Sequence, residues 1–445
     1  MPTLCSAADT RLGRWVPSRS ARASIVVTFV VSSLFQMIGV PFTSSFGTRT
    51  RIDLDVYRLG AQIWQQGQSL YADGSMPFTS DGIWLPFTYP PFAAMTFVPL
   101  GAMTLTVAGV LMSLITIGLL VVVIHIVLRV LSVGSSGNRW WLALVVSTGA
   151  VWLNPMWMTL GFGQINVILM AMIIVDVFLV GRGRRRTLGS LQGVLVGLAS
   201  AIKLTPLVFI VLFASARRWR AVATAIGTFV AAGALAWIWM PSDSWGYWTH
   251  TLFHTTRIGD PAGRINQNLN AMWIRLIPEP SAAQLAWVLS SLAVTALAGA
   301  ALFACRPAAA FAPGAGRSGR VNALLATCAV AVWGLLVSPT SWAHHWVWSI
   351  PLILTSLVVA ARTGSRRAYV AYTAVAVSGV LIFAIGPYQF LPMVAKQWTA
   401  VDHLVGNAFS LWGIAALFVI WLLPYSPAGS SARETDKPLA EIRSA

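Results

Sequence analysis

The chain has 445 residues, of which 57% are hydrophobic and 10% charged, with a mean hydropathy of +0.72. Such a balance cannot clothe a soluble core of this size, so most of the surface must face lipid, and the long unbroken apolar runs exclude the alternating pattern of a membrane β-barrel. A net charge of +17 would suggest nucleic acid in a soluble protein, but the basic residues sit in short segments between apolar runs. They report membrane orientation, and no nucleic-acid partner is expected.

Only helices satisfy their own backbone in hydrocarbon without closing a barrel, so the expected class is all-α, a polytopic transmembrane bundle. Residues 1–22 carry Arg11, Arg14, Arg19 and Arg22 and form a basic tail on the cytoplasmic side. The first crossing is predicted at about Ala23 to Phe42. An outer loop follows to about residue 90, too long for a tight turn, and contains Arg51-Ile-Asp-Leu-Asp-Val-Tyr-Arg58 at the start of an amphipathic run. The run from Pro91 to Val133 is about twice what one crossing needs, which predicts a short interfacial or re-entrant helix before the return crossing.

Arg129 and Arg139 mark the next cytoplasmic turn. The chain rises through about Trp140 to Leu153, turns at Asn154-Pro155 and descends through Ile174 to Arg182, Arg184, Arg185 and Arg186. A second basic cluster, Arg217, Arg218 and Arg220, follows after only about 30 residues, and a single crossing would put one cluster on the wrong side. Leu188 to Ala214 is therefore read as a hairpin of two short segments bent at Ala201-Ile-Lys-Leu-Thr-Pro206, with Lys203 at its depth, where an ionisable group is a functional candidate. A rise through Ala221 to Met240 leads to a second outer loop, 241–282, holding His254, Arg257, Asp260, Arg264 and Asn266-Gln-Asn268. Further alternations run through the loop Arg306 to Arg320, the outer Trp342-Ala-His-His345, the basic Arg362, Arg366 and Arg367, and the outer Lys396 to His403.

The result is roughly ten crossings plus the hairpin, about twelve helical segments, with one membrane domain at 23–424 and a polar cytoplasmic tail at 425–445. Cys5, Cys305 and Cys328 are too scattered for a disulfide framework or a zinc spacing. The outer-face polar set is Asp53, Asp55, Tyr57, Arg58, Tyr89, Gln164, Asn166, Asn266, Gln267, Asn268, Arg275, His344 and His345. No nucleotide-binding fingerprint and no HExxH accompany it, which suits a substrate that arrives already activated and membrane-borne.

Asp53-Leu-Asp-Val-Tyr57, Gly67-Gln-Ser-Leu-Tyr71 and Phe87-Thr-Tyr-Pro-Pro91 resemble the first outer loop of the actinobacterial polyprenyl-phosphate-mannose-dependent α-1,2-mannosyltransferases of the GT-C fold. The resemblance continues through Gly163-Gln-Ile-Asn166, Ala201-Ile-Lys-Leu-Thr-Pro206, Asn266-Gln-Asn268 and Ser338-Pro-Thr-Ser-Trp-Ala-His-His345. It implies a plasma-membrane enzyme with an extracytoplasmic site and both termini in the cytoplasm. The donor would be a β-linked polyprenyl-phosphate-mannose and the acceptor a mannosylated glycolipid such as a phosphatidylinositol mannoside or lipomannan. No organic cofactor is implied, no metal ligand is assigned and the metal requirement is left open.

The family's essential aspartate matches Asp53. A β-linked donor giving an α-linked product requires inversion, for which one carboxylate acting as general base suffices. Sugar or acceptor contacts are expected from Asp55, Tyr57, Arg58, Tyr89, Gln164, Asn166, Asn266 and Gln267. Contacts to the departing phosphate are expected from Lys203, Arg275, His344 and His345. Structural readings stand beside these: Asp53 as a helix cap or partner of Arg51, Asp55 paired with Arg58, Lys203 tying the hairpin, and the histidines as interfacial packing among Trp342, Trp346 and Trp348. A transporter of lipid-linked sugar and a GT-C enzyme using another polyprenyl-phosphate sugar are the alternative functions.

Overall fold

A computed structural model describes residues 15–39, 51–180, 191–254, 259–393, 395 and 398–426. Cys5, Arg11, Arg14, the Arg182 to Arg186 cluster, Arg257, Lys396 and the C-terminal tail lie outside the described residues. Within them the chain is helical and contains no strand, only a single bridge between Asn266 and Trp342.

The first long helix, α1 (Arg19–Ile38), starts four residues before the expected crossing because the Ser18 hydroxyl caps it, accepting from the Ala21 N–H at 3.2 Å. The amphipathic run forms α2 (Ile52–Gln65), entered from Arg51 in left-handed backbone (φ 47°). Pro91 then opens α3 (Pro91–Thr96), since proline lacks only an N–H that the first turn leaves unpaired. One further turn (Val98–Gly101) separates α3 from α4 (Leu105–Val130). The over-long apolar run thus resolves into a short helical piece and one helix long enough to cross. A hydrogen bond from Arg51 to the Thr106 carbonyl places the start of α4 beside α2. The helix has 26 residues. At 1.5 Å per residue its far end lies about 39 Å away.

That far end gathers arginines. Arg320 donates to Val130 O and Ser132 Oγ, Arg362 to Leu131 O and Ser132 O, and Arg139 to Val133 O and Gly134 O. Each guanidinium meets carbonyls that a helix end leaves without partners, and positive charge there also complements the helix dipole. The molecule therefore has a basic end and, opposite it, the end that carries Asp53.

Next, α5 (Arg139–Ala150) and α6 (Asn154–Phe162) together have the composition of one span but are bent by 82° at Asn154-Pro155. A short apolar helix follows, α7 (Asn166–Phe178). The hairpin's limbs are α8 (Val194–Ile202) and, after a 3₁₀ turn at Thr205–Val208, α9 (Phe209–Ser215). Its two ends meet: Arg218 Nη1 donates to Gln192 Oε1 at 2.6 Å, so the segment returns to the side it left. Asp176, buried in α7, accepts from the backbone N–H of Gly193 and Val196 and closes the N-terminus of α8. The α8 limb packs on α10 (Trp219–Trp239) through small residues. A Cβ on Gly197 would stand 2.5 Å from Ala225 O, and one on Gly193 2.3 Å from Ala221 O. Lipid offers no hydrophobic drive between helices, so such close backbone approach supplies the contact energy.

The second outer segment holds α11 (Pro241–Thr249) and α12 (Leu269–Leu276), and the rest of the bundle is α13 (Pro280–Ala304), α14 (Arg317–Val337), α15 (Ser349–Arg362), α16 (Arg366–Ile385), α17 (Ala400–Gly406) and α18 (Ala408–Leu422). Among the described residues seven helices are long and apolar enough to cross a membrane, or nine if each bent pair counts as one span. The sequence led to about ten crossings; α7 (Asn166–Phe178), with 13 residues, is apolar but at about 20 Å falls short of the roughly 30 Å that a crossing needs. This is a multi-pass membrane protein.

Candidate functional site

A cavity of about 540 Å³ opens at the end of the bundle that carries Asp53, walled by α2, the Leu85–Pro90 strip, Phe162 to Gln164, the hairpin tip, the α11 region and the Ser338–His345 strip. Asp53 sits in the first turn of α2 and is partly exposed to the cavity. Gln164 Nε2 donates to its Oδ2 at 2.7 Å. The close fit behind that bond depends on Gly163. This residue ends α6 at φ +70°, and a Cβ there would stand 2.6 Å from Leu54 Cβ on α2. Glycine alone lets the two segments approach and tolerates that backbone. Burial pushes the Asp53 carboxyl up to about 6, opposed by the Gln164 hydrogen bond and by the charge of Lys203.

Behind Gln164 stand two tyrosines. Tyr57 OH donates to Gln164 Oε1 at 2.9 Å, and the Tyr57 and Tyr89 hydroxyls are 2.9 Å apart. Both phenols are pushed well up, first by burial, and stay protonated. Lys203 follows the last residue of α8 in extended backbone, and its ammonium lies 2.9 Å from His345 Nε2, 3.2 Å from Asn166 Oδ1 and 5.6 Å from the centre of the Tyr89 ring. His344 is 4% exposed, and neither of its ring nitrogens has a hydrogen-bond partner among the described residues. Its ring packs edge-on to Phe162 and His345. A buried imidazole left unpaired on a cavity wall is costly, by about 1–3 kcal/mol, unless a ligand completes it. Among the described residues no three His, Cys, Asp or Glu side chains cluster closely enough to hold a metal ion.

Asp53, Tyr57, Tyr89, Gln164, Lys203, His344 and His345 therefore share one cavity. Asn166 stands behind it, donating to His344 O and accepting from Lys203. The other expected contact residues are elsewhere. Asp55 points away, 2.6 Å from Arg58 Nη1, with its second oxygen accepting from Ser80 N and Oγ; Arg58 also donates to Met103 O. Period 3.6 explains the divergence, since residues two apart on a helix face in nearly opposite directions.

Asn266, Gln267, Asn268 and Arg275 are likewise absent from the cavity wall, and neighbouring loops take most of their polar atoms, Gln267 Oε1 and Arg275 Nε being left without a partner among the described residues. Asn266 bonds Ser341 N and Pro261 O, Gln267 bonds Arg264 O and Gly406 O, and Asn268 caps α12 and bonds Ser338 O. Arg275 donates to Gly263 O, Asn266 O and Asn407 Oδ1 and lies against Trp398. They knot the second outer segment to the strip that carries the histidines, where Ala343 N donates to Ile265 O at 2.9 Å. Sequence reasoning passed over Tyr247, Thr251, His254, Thr340 and Trp342 as cavity residues. His254 stands in the second outer loop read from the sequence and Thr340 and Trp342 in the Ser338–His345 motif, whereas Tyr247 and Thr251 had no signal beyond the aromatic richness of that loop.

Comparison with known proteins places the chain. Residues 87–339 match the model of glycosyltransferase family 87. The chain is 38% identical over 387 residues to a polyprenol-phosphate-mannose-dependent alpha-(1-2)-phosphatidylinositol mannoside mannosyltransferase of Mycobacterium tuberculosis, spanning 84% of this chain and 85% of that one. Identity is also 38%, over 88% of both chains, to the protein of the same description from Mycolicibacterium smegmatis. Among solved structures, ArnT from Cupriavidus metallidurans bound to undecaprenyl phosphate aligns over 90% of this chain and 77% of that one, at 14% identity and a TM-score of 0.33. With a family match over more than half its length and relatives at 38% identity over most of it, this multi-pass membrane chain belongs to glycosyltransferase family 87 and is a glycosyltransferase.

Proposed function

We propose that the protein is an inverting α-1,2-mannosyltransferase that moves mannose from polyprenyl-phosphate-mannose to a mannosylated glycolipid, a phosphatidylinositol mannoside or lipomannan-type acceptor. The printed activity of the 38%-identical relatives supports the donor and linkage. The observation that carries the reading is one cavity holding a partly exposed carboxylate, a lysine ammonium and an imidazole, where among the described residues one carboxylate oxygen and both imidazole nitrogens have no hydrogen-bond partner.

In the proposed step an acceptor hydroxyl oxygen attacks the anomeric carbon from the face opposite the phosphate. The new C–O bond forms, the bond to the phosphate oxygen breaks, and polyprenyl phosphate leaves with the electron pair. Asp53 takes the hydroxyl proton, a role for which a carboxyl near 6 is well matched at neutral pH. Lys203, with His344 and His345 beside it, would meet the charge that develops on the phosphate. Gathering of arginines at the opposite end supports placing the cavity on the extracytoplasmic side of the plasma membrane, with both termini cytoplasmic and residues 23–424 as the catalytic domain.

The test is transfer by membranes containing the protein, supplied with labelled polyprenyl-phosphate-mannose and either phosphatidylinositol mannosides or lipomannan. Label should appear in an α-1,2-linked product. Label transferred only from another polyprenyl-phosphate sugar would overturn the donor assignment, and movement of intact donor across vesicles without transfer would make the protein a transporter.

A further inference from the structure

The hydroxyls and amide behind Asp53 form a chain with a direction. An ionised carboxylate can only accept, so Gln164 must turn its NH₂ toward Asp53 and its carbonyl oxygen away. That oxygen accepts the single proton of Tyr57 OH. Tyr57 has no second proton to give, so at the 2.9 Å contact between the phenols Tyr89 is the donor. Every bond thus donates toward Asp53, and hydrogen bonds aligned head to tail polarise one another. At the distal end the Lys203 ammonium lies over the Tyr89 ring, which makes that phenol a better donor. The chain ends on Oδ2 alone; Oδ1 has no hydrogen bond among the described residues.

Resting on the reading of Asp53 as the base, we propose that Gln164 is a positioning residue. Held by Tyr57 and Tyr89, its amide fixes one oxygen of Asp53, so that the other is presented to the acceptor hydroxyl and the carboxylate stays ionised in a buried place. Gln164 and the two tyrosines thereby act through Asp53 and not as sugar ligands. The titratable groups that share the cavity with Asp53 are Lys203 from the hairpin tip, Tyr57 from its own helix, Tyr89 from the Leu85–Pro90 strip, Tyr247 from α11, and His254, His344 and His345 from the remaining walls. Arg51 precedes it at the helix start, and Asp55 with Arg58 is turned away.

The experiment is the pH dependence of kcat/KM for mannosyl transfer by the full-length protein. The donor is a phosphodiester and does not titrate in this range. The parent should lose activity as pH falls through about 6, where Asp53 gains its proton. Gln164→Met cannot donate and should move that acid limb up by about one pH unit, the equivalent of a hydrogen bond to a charged acceptor. Tyr57→Phe preserves volume, frees the amide to turn and should move the limb the same way by less. It decides the matter if Gln164→Met does not fold. His254→Gln, His344→Gln and His345→Gln should leave the limb in place. A limb that stays put in Gln164→Met and Tyr57→Phe while turnover falls would overturn the proposal, as would a limb that follows one of the imidazoles. Asp53→Asn, assayed in parallel, separates the two levels. Activity near the parent's in that variant sinks the base itself, whereas an inactive Asp53→Asn with an unmoved limb sinks only the role of Gln164.

Discussion

Two polar clusters stand at the same end of this bundle, and they differ in what their atoms have left to offer. On the cavity wall, among the described residues, Asp53 keeps one oxygen without a hydrogen bond and His344 keeps both ring nitrogens without partners. In the knot of Asn266, Gln267, Asn268 and Arg275, nearly every donor reaches a loop carbonyl or a neighbouring amide. Composition does not separate them. What does is the backbone beside each cluster. Long irregular loops leave carbonyls that must be paired when buried, and side chains recruited for that are no longer available to a substrate.

The sharpest way to break the comparison is Asp53→Asn. It keeps the hydrogen bond from Gln164 within reach but cannot take the acceptor's proton, so transfer should fall by about 100- to 10,000-fold. Because burial raises this carboxyl, ionising it costs the fold stability as pH rises from about 4 to about 6. Thermal unfolding of Asp53→Asn at pH 7 should therefore occur no lower than in the parent; a clear drop would mean that the lost activity reports unfolding.

Next in size is His344→Ala or Lys203→Met. Loss of a charge-assisted contact to the leaving phosphate should lower turnover by about 10- to 100-fold while expression is retained. Full activity in both would show that the phosphate is held elsewhere, by His345 or by backbone amides.

Arg275→Ala tests the other cluster. Removing a guanidinium that serves several carbonyls leaves those acceptors buried and unpaired, so the midpoint of thermal unfolding should fall by several degrees, about 1–3 kcal/mol per orphaned group before relaxation. In the fraction that remains folded, the KM for donor should stay within about threefold of the parent; a larger rise confined to KM would put Arg275 back at the substrate. The smallest catalytic effect belongs to Asp55→Asn. Its loss breaks the bond to Arg58 and weakens the anchor at Ser80, lowering stability, but kcat should remain within about tenfold of the parent.

How much of this could be read from the residues alone follows from the same physics. Apolar lengths carried the seven to nine candidate spans and basic residues the hairpin's return, because both are set by the thickness and dielectric of a bilayer. Helical period distinguishes Asp53 from Asp55 once α2 is known to begin at Ile52. The knot was not legible. Asn266-Gln-Asn268 and Arg275 look like ligands in a sequence, and only the positions of the Ser338, Gly406 and Gly263 carbonyls show that they are already engaged. Gly163 carried a usable signal, a glycine between a helix and a polar pair, whose meaning depends on the contact with Leu54.

The hairpin's first limb works as a ruler. Its base is pinned by Asp176 at Gly193, and after the nine helical residues Val194–Ile202 it delivers Lys203 to the cavity. One inserted or deleted residue in Val194–Ile202 would shift the ammonium by about 1.5 Å and swing it by about 100° around the helix axis. That swing would aim it away from His345 and Asn166 while leaving the limb's hydrophobicity intact. Substitutions among its apolar side chains can be absorbed by repacking. Its residue count cannot vary, and that count is a functional property written in no single side chain.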